Sequence, residues 1–183
     1  PFYNIPWAIE LEGRLDLPAL QLALQTMVDR HDALRTTFQT RGGQAHQYVI
    51  ERMIIEVPLI DLSDVPEAAA REEAERLARG EAQAPFDLES GPLLRCSVVR
   101  LPAGHDLLLL NVHHIVSDGW SMGILVREMS AVYAARRSDV LSSAVLQYVA
   151  YTQWQNRLLE GDRLRAQEAF WVQRLQGALP ALE

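Results

Sequence analysis

The chain has 183 residues, of which 49% are hydrophobic and 22% are charged, as in a globular protein with its own core rather than a disordered segment. A net charge of -7 argues against a nucleic-acid-binding surface, which would show a basic patch. No apolar run reaches the length of a membrane span and no signal-peptide pattern opens the sequence, so we expect a cytoplasmic protein without membrane contact.

The first predicted elements are a strand and a helix. Alternating apolar and polar residues predict a half-buried strand, with one face made of Ile5, Trp7, Ile9 and Leu11. The next segment is typical of an amphipathic helix, with Asp16 as its N-cap and Pro18 in its first turn. The apolar stripe of this helix consists of Leu17, Leu20, Leu24, Met27 and Val28.

A hairpin, an edge strand, a helix and a loop are predicted over the middle of the chain. Gly42 and Gly43 separate two strand-like segments, which favours a β-hairpin. Pro58 lies within the next strand pattern and favours a sheet edge. The helix that follows is rich in alanine and glutamate and is expected to end near Gly80. The predicted ranges are 35–40 and 44–51 for the hairpin, 54–62 for the edge strand, 65–81 for the helix and 84–94 for the loop.

Two further strands and three helices complete the prediction. The strands cover 93–101 and 106–114, and the apolar run from Leu107 to Val112 is typical of a central strand covered on both faces. Cys96 is interpreted as a buried core thiol. Because it is the single cysteine, it allows no internal disulfide and leaves a zinc site without its usual thiolates. The helices are expected over 120–136, 146–159 and 162–179.

Helices and strands alternate along the sequence, and the strands include antiparallel hairpins. The predicted fold class is therefore α/β, or an α+β sandwich, in which helices pack on a mixed sheet. A length of 183 residues fits one domain or one lobe of a larger one.

The segment NVHHIVSDGWS, from Asn111 to Ser121, places ionisable groups at the end of the most apolar strand. His113 and His114 end that strand, and Asp118 lies in the turn before a helix. Strand and helix give such residues a rigid scaffold, and a helix N-terminus adds partial positive charge and free N–H groups. This segment is therefore the candidate functional site.

Metal binding and acid–base chemistry are the two uses considered for these histidines. Because adjacent strand residues point to opposite faces, His113 and His114 do not chelate one ion without a bulge, and no metal site is expected. One neutral imidazole facing a cleft could accept a proton near neutral pH. Structural explanations stay open beside this one: a satisfied core histidine, Asp118 as a helix N-cap, and Gly119 as a tight turn.

The same residues resemble a known family. HHIVSDGWS, residues 113–121, looks like the His-His-x-x-x-Asp-Gly signature of the condensation domains of nonribosomal peptide synthetases. Related acyltransferases built like chloramphenicol acetyltransferase share this signature. Three more segments resemble family blocks in the right order, namely RHDALRTTF at 30–38, PFDLESGPLLR at 85–95 and LQYVAYTQWQ at 146–155.

The resemblance implies a chloramphenicol-acetyltransferase-like fold of two lobes arranged as a V, with the active site in the channel between them. Residues 1–183 look like the N-terminal lobe, without the opening block and without the C-terminal lobe. Because the sequence also begins with Pro1 rather than Met, we expect the chain to belong to a longer polypeptide and to be inactive alone.

The resemblance also implies a reaction, the formation of a peptide bond between two thioesters in the biosynthesis of a peptide antibiotic or similar secondary metabolite. An upstream aminoacyl or peptidyl group and a downstream aminoacyl group arrive on the phosphopantetheine arms of two peptidyl carrier proteins. The downstream amine attacks the upstream thioester, and the domain itself is expected to bind no cofactor. The residues of HHIVSDGWSMGIL and RHDALRTTF resemble those of the subtype that joins an L-configured donor to an L-configured acceptor.

Three residues of the signature have expected roles near the reacting atoms. His114 matches the family's catalytic second histidine, which acts as a base or positions the amine. His113 is expected to be an internal hydrogen-bonding residue. The Gly119 N–H is a candidate donor to the oxyanion or the thioester carbonyl.

Other residues have expected supporting roles. Asp118 looks like the family's structural acid, which pairs with an arginine, and the candidates are Arg30, Arg35 or an arginine of the missing lobe. Trp120 and Ser121 would shape the channel wall, with core packing or capping as the alternative for each.

Other functions of the same fold stay open. An epimerisation domain shares the signature but inverts a stereocentre. A non-catalytic domain that recruits another enzyme usually has a degraded signature, whereas this one is intact. A heterocyclisation domain is disfavoured, because that group has Asp in place of the first histidine.

Overall fold

The computed structural model describes residues 2–143, 146–159 and 162–177. The chain divides into two compact units, Pro1–Ala144 and Val145–Glu183. The described part of the first unit contains strands β1 Asn4–Glu12, β2 Thr36–Arg41, β3 Gln44–Val49, β4 Leu59–Asp61, β5 Leu94–Arg100 and β6 His105–His113, with helices α1 Leu17–Arg30, α2 Glu67–Gln83 and α3 Gly119–Ala135. The described part of the second unit contains helices α4 Tyr148–Leu159 and α5 Asp162–Arg174.

Four strands form one mixed sheet in the order β1-β6-β5-β4. β6 pairs antiparallel with both β1 and β5, whereas β4 pairs parallel with β5. The central position predicted for the apolar strand is confirmed, and residues 108–112 of β6 are all buried. β2 and β3 form the predicted hairpin as a separate two-stranded sheet.

Helices cover both faces of the four-stranded sheet, which confirms the predicted mixed-sheet fold. Leu108, Leu110 and Val112 of β6 pack in a core with residues of α1 and α3. Leu109, on the opposite face, packs in a second core with Ala70 and Ala74 of α2. Because side chains alternate along a strand, one apolar strand serves two cores, and each fully buried leucine contributes about 2 kcal/mol.

The first strand and helix form as predicted. The face of β1 that carries Trp7 and Ile9 is half-buried, and the residues between them are exposed. Helix α1 begins after Asp16, whose carboxylate accepts the Ala19 N–H at 3.0 Å. Cys96 is buried in the larger core, and this burial raises the pKa of its thiol to about 12, with the Glu81 carboxylate adding to the shift.

The predicted strand over 54–62 is wrong in extent, because only Leu59–Asp61 pairs in the sheet. Met53 and Ile55 are buried with Ile54 exposed, which imitates a strand pattern. Their backbone groups bond to a helix instead: the Gln25 amide donates to the Met53 carbonyl at 2.9 Å and accepts the Ile55 N–H at 3.1 Å. The edge position expected from Pro58 is confirmed, because β4 is the outer strand.

Several helix ends differ from the prediction. Helix α2 continues through Gly80 to Gln83 and ends before Pro85, because a residue that precedes proline disfavours the helical conformation. Helix α3 runs from Gly119 to Ala135, close to prediction. The two helices of the second unit are shorter than expected, at Tyr148–Leu159 and Asp162–Arg174, and the predicted end at residue 179 lies outside the described residues.

Candidate functional site

The candidate site begins where β6 ends. His113 is the last residue of the strand, and its N–H donates to the Leu93 carbonyl at 2.9 Å. His114 lies in the following turn, and its N–H donates to the Tyr3 carbonyl at 2.7 Å. The Val116 N–H then closes the turn on the His113 carbonyl at 3.1 Å. Both histidines therefore have a fixed backbone, although only the first belongs to the strand.

The side chain of His113 is half-buried and its ring lies near those of Tyr3 and Phe86. Its Nδ1 accepts the Ile115 N–H at 3.1 Å, and the ring of Phe86 stands perpendicular to it at 5.8 Å between centroids. Burial lowers the pKa of His113 below its usual 6.5, and the neighbouring imidazole of His114 lowers it further. The neutral form is therefore favoured, as the hydrogen bond to Nδ1 requires.

The side chain of His114 is exposed, in contrast to that of its neighbour. The two histidines therefore differ in environment, although the alternation expected of adjacent strand residues does not apply to His114, which lies in the turn. An exposed imidazole on a fixed backbone is accessible to a substrate and is available for proton transfer.

Asp118 is the N-cap of α3. Its Oδ1 accepts both the Ser121 N–H at 2.8 Å and the Ser121 hydroxyl at 2.6 Å. These two bonds are the main reason why the pKa of Asp118 lies below its usual 3.8, and the backbone of Trp120 and the imidazole of His114 contribute less. The carboxylate is ionised and placed where the helix dipole favours negative charge.

Among the described residues, Asp118 does not pair with either same-lobe candidate arginine, and an arginine of the missing lobe stays the open alternative. Arg35 pairs with Asp32 at 2.5 Å, and Arg30 pairs with Glu128 at 3.0 Å. Glu128 stands ten positions after Asp118 on α3, which at 1.5 Å per residue places it about 15 Å along the helix. Both arginines therefore form ion pairs near the C-terminal end of α1, away from the turn that carries the histidines.

The three residues after Asp118 begin α3. Gly119 is the first helical residue, and a Cβ built there would meet none of the described atoms within 4 Å apart from its chain neighbours and the nearby helix backbone, so the space beside it is open. Trp120 is 81% exposed, which contradicts the core-packing alternative for it. Ser121 is half-buried and bonded to Asp118, which favours the capping alternative over a role in a channel wall.

Two residues that support the site were not singled out from the sequence. Phe86 contacts the ring of His113, and Leu93 accepts its backbone N–H. Both lie in the segment 85–95, which resembled a family block, so the block itself was the available signal. The periodicity of that segment gave no indication, because residues 85–93 join α2 to β5 without a helix or strand of their own.

Neither a metal centre nor a membrane span is found in the part of the chain that the structure describes. Within it, no group of three or more His, Cys, Asp or Glu side chains could hold a metal ion. None of the helices described there is both long and apolar enough to span a bilayer.

The chain matches the family model of the condensation domain over residues 1–183. It is 43% identical to a subunit of the linear gramicidin synthase of Brevibacillus parabrevis over 183 residues, which are 98% of this chain and 4% of that protein. It is 35% identical to surfactin synthase subunit 2 of Bacillus subtilis over 181 residues, which are 99% of this chain and 5% of that protein. The chain thus spans a small fraction of the curated relatives that it matches.

Solved structures show the same relationship. The SgcC5 protein of Streptomyces globisporus is 32% identical with a TM-score of 0.78, and the match covers 100% of this chain and 42% of that one. The X-domain from teicoplanin biosynthesis is 30% identical with a TM-score of 0.82, covering 97% and 39%. The starter condensation domain of rhizomide synthetase, at 20% identity and a TM-score of 0.82 over 97% of this chain and 43% of that one, shows the fold alone. On the family match and these identities, the chain belongs to the condensation-domain family.

Proposed function

We propose that the chain carries the catalytic histidine of a peptide-bond-forming condensation domain in a nonribosomal peptide synthetase. The observation that carries this proposal is the position of His114, which is exposed in the turn directly after the central strand with its backbone N–H hydrogen-bonded to Tyr3. His113 is half-buried, and burial lowers the pKa of its ring, which supports a role different from that of the exposed His114. We assign catalysis to His114 and structural support to His113.

The proposed substrates are two thioesters on the phosphopantetheine arms of an upstream and a downstream peptidyl carrier protein. The domain itself holds no cofactor in this proposal, because both reacting groups arrive covalently attached to their carriers. Since the chain spans 42% of the related SgcC5 structure, the rest of the domain is proposed to supply the opposite wall of the channel, as a C-terminal lobe.

The reaction begins when the downstream amine attacks the upstream thioester carbonyl. The resulting tetrahedral species has a positive nitrogen and an oxyanion, and collapses with release of the thiolate of the upstream carrier. His114 accepts the nitrogen proton, or holds the amine for attack, and positioned acid–base catalysis typically supplies about two to four orders of magnitude in rate. Alignment of two tethered substrates can supply more.

The N-terminus of α3 is proposed to stabilise the oxyanion through the Gly119 N–H. The open space beside Gly119 supports this assignment, because a carbonyl group could approach the backbone there. The Asp118 carboxylate accepts a hydrogen bond from the Ser121 N–H, so in this proposal it fixes the turn rather than contacting the substrate.

A second candidate is recruitment of another enzyme without catalysis. The 30% identity to the teicoplanin X-domain favours it, since that domain has also been solved in a complex with OxyB. Against it stands the intact signature in this chain, with an exposed His114 and a capped α3. Epimerisation, a third candidate, has no observation here that favours it over condensation.

The test is formation of the dipeptidyl thioester by the complete condensation domain with both carrier proteins loaded, followed by intact-protein mass spectrometry. His114→Ala should abolish or strongly reduce product, by about 100-fold or more. His46→Ala is the matched control, because His46 is an exposed histidine on β3 and should leave the rate unchanged. Undiminished product in His114→Ala would overturn the catalytic assignment, and a wild-type protein that binds a partner enzyme but yields no product would favour recruitment.

A further inference from the structure

The C-terminal end of α2 is held by side chains from three adjacent strands. Asn4, Asn111 and Arg95 lie on β1, β6 and β5, and all three face the layer that contains α2. The last carbonyls of a helix have no partner within the helix, so these donors cap it. The bonds run from Asn4 to the carbonyls of Ala82 and Ala84 at 2.9 Å each, from Asn111 to Glu81 at 2.7 Å, and from Arg95 to Ala84 at 2.9 Å and Glu81 at 3.4 Å.

Arg95 makes further contacts that the two asparagines do not share. Its Nε donates to the Glu81 carboxylate at 2.6 Å, and its Nη1 donates to the Pro85 carbonyl at 2.9 Å. Its guanidinium carbon lies 3.8 Å from the ring centroid of Phe86, which is a cation–π contact. Arg95 therefore holds both the backbone before Phe86 and the face of its ring.

Phe86 in turn stands against His113. The two rings are nearly perpendicular at 88°, with their centroids 5.8 Å apart. His113 Nδ1 accepts the Ile115 N–H, so in the neutral ring the proton lies on Nε2. A continuous set of contacts thus runs from Arg95 through Phe86 to the turn that carries His114.

We propose that Arg95 is a positioning residue for the proposed condensation reaction, acting through Phe86 on the ring of His113. Phe86 holds the ring where Nδ1 meets the Ile115 N–H, and this bond fixes the direction in which His114 leaves the strand. The inference rests on the proposed function, because it concerns the placement of the catalytic histidine. Arg95 and Phe86 both lie outside the histidine signature.

Arg95 shares its two capping carbonyls with Asn4 and Asn111, so its capping bonds are not essential to the end of α2. Without Arg95, the Glu81 carbonyl keeps its bond from Asn111 and the Ala84 carbonyl keeps its bond from Asn4. The end of α2 therefore stays capped. What the loss of Arg95 removes without a substitute among the described capping residues is the bond to the Glu81 carboxylate, the bond to the Pro85 carbonyl and the cation–π contact with Phe86.

The experiment uses the complete condensation domain with loaded carrier proteins and histidine labelled with ¹⁵N. Phe86→Leu keeps every hydrogen bond of Arg95 but removes the ring, and Arg95→Met removes the guanidinium. Both should lower the single-turnover rate by about 10- to 100-fold without raising the carrier concentration for half-saturation, as expected for a misplaced catalytic group. Both should also move the Nδ1 and Nε2 resonances of His113 toward a mixture of tautomers.

Two further variants decide which property of Arg95 matters. Arg95→Lys keeps a positive charge near Glu81 but loses the flat guanidinium over Phe86, so we expect it not to restore the rate. The double variant Arg95→Met with Phe86→Leu should be no slower than the slower single variant, because both act through one contact. Arg71→Met is the matched control, since Arg71 joins α2 to Glu10 on β1 away from His113 and should leave rate and resonances unchanged.

The outcomes separate this inference from the proposed function. Unchanged rates and unchanged His113 resonances in Phe86→Leu, with His114→Ala inactive, would overturn the positioning role and leave the proposed function intact. Full recovery by Arg95→Lys would overturn it as well, because charge alone would then suffice. An active His114→Ala would overturn the proposed function itself. If Arg95→Met fails to fold, Phe86→Leu decides the question alone.

Discussion

The N–H of His114 donates to the carbonyl of Tyr3 at 2.7 Å, while the N–H of His113 donates to Leu93 on the other side. Neighbouring residues of a central strand bond alternately to the two flanking chains, and these two histidines continue that alternation. The pair is therefore held from both sides at the point where regular pairing stops. The fixed position of His114 depends on segments that lie far apart in the sequence.

The pH dependence of stability should reveal His113. Its folded-state pKa lies below its usual 6.5, so folding favours the neutral ring. The stability that this ring contributes is present above pH 6.5 and is lost as the pH falls toward the lowered value, since protonated Nδ1 cannot accept the Ile115 N–H. Between about pH 7 and about pH 5, the thermal unfolding temperature should therefore fall further for the wild type than for His113→Asn. The amide oxygen of asparagine is an acceptor at every pH. Equal falls would show that His113 is not the titrating group.

Asp118 should be replaceable by Asn as a helix cap. Asn, Ser and Asp are comparable N-caps, and each can accept the Ser121 N–H that Asp118 now binds. We expect Asp118→Asn to unfold close to the wild-type temperature and Asp118→Ala to unfold clearly lower, as measured by circular dichroism. The chain should keep the cap in acid below the usual Asp pKa of 3.8, because the lowered pKa keeps the carboxylate ionised. A large loss in Asp118→Asn would instead indicate that the negative charge at the N-terminus of α3 is required.

Asn111 should tolerate an apolar replacement better than an acidic one. Its side chain is fully buried, its Nδ2 donates to the Glu81 carbonyl, and its Oδ1 has no partner among the described residues. Asn111→Asp buries a carboxylate against the Glu81 carbonyl oxygen, and the guanidinium of Arg95 on the paired strand offsets only part of that cost, so about 3 kcal/mol or more of unfolding free energy should be lost. Asn111→Leu should cost about 1–3 kcal/mol, because Arg95 still reaches the same carbonyl. Urea denaturation gives both values, and the reverse ranking would contradict the burial of this site.

Gly91 should resist substitution more than Gly42. Both have positive φ, +65° and +58°, so alanine at either position costs about 1–2 kcal/mol in backbone energy. A Cβ at Gly91 would lie 3.0 Å from the Met53 methyl group, whereas none of the described atoms lies within 4 Å at Gly42. We expect Gly91→Ala to lower the free energy of unfolding by about 1 kcal/mol more than Gly42→Ala does in urea denaturation. The contact with Met53 adds a steric cost to the backbone strain that both variants share. Equal losses would mean that Met53 moves aside without cost.

Local patterns in the sequence were sufficient to predict the helices and strands that pack through apolar faces. The alternation through Trp7 and Ile9 predicted β1, and the continuous run from Leu107 to Val112 predicted the central strand. Asp16 was predicted as the cap of α1, where its partner is three residues away. These predictions succeeded because period, burial and nearby caps are properties of short segments.

Other features were decided by partners distant in the sequence. Met53 and Ile55 imitate a strand, but the side chain of Gln25, on α1, takes their backbone hydrogen bonds. The sequence also left the arginine partner of Asp118 undecided, because charged side chains of either sign occur throughout it, and the structure pairs Arg30 with Glu128 and Arg35 with Asp32.

The sequence by itself identified the candidate site, because two adjacent histidines follow an apolar strand pattern. Only the tertiary structure decided that His113 is enclosed by Phe86 while His114 is exposed. Strand periodicity states that the two side chains point in opposite directions, but not what covers each direction. That cover comes from Phe86, which stands 27 positions before His113 in the numbering and reaches it because α2 ends against the sheet.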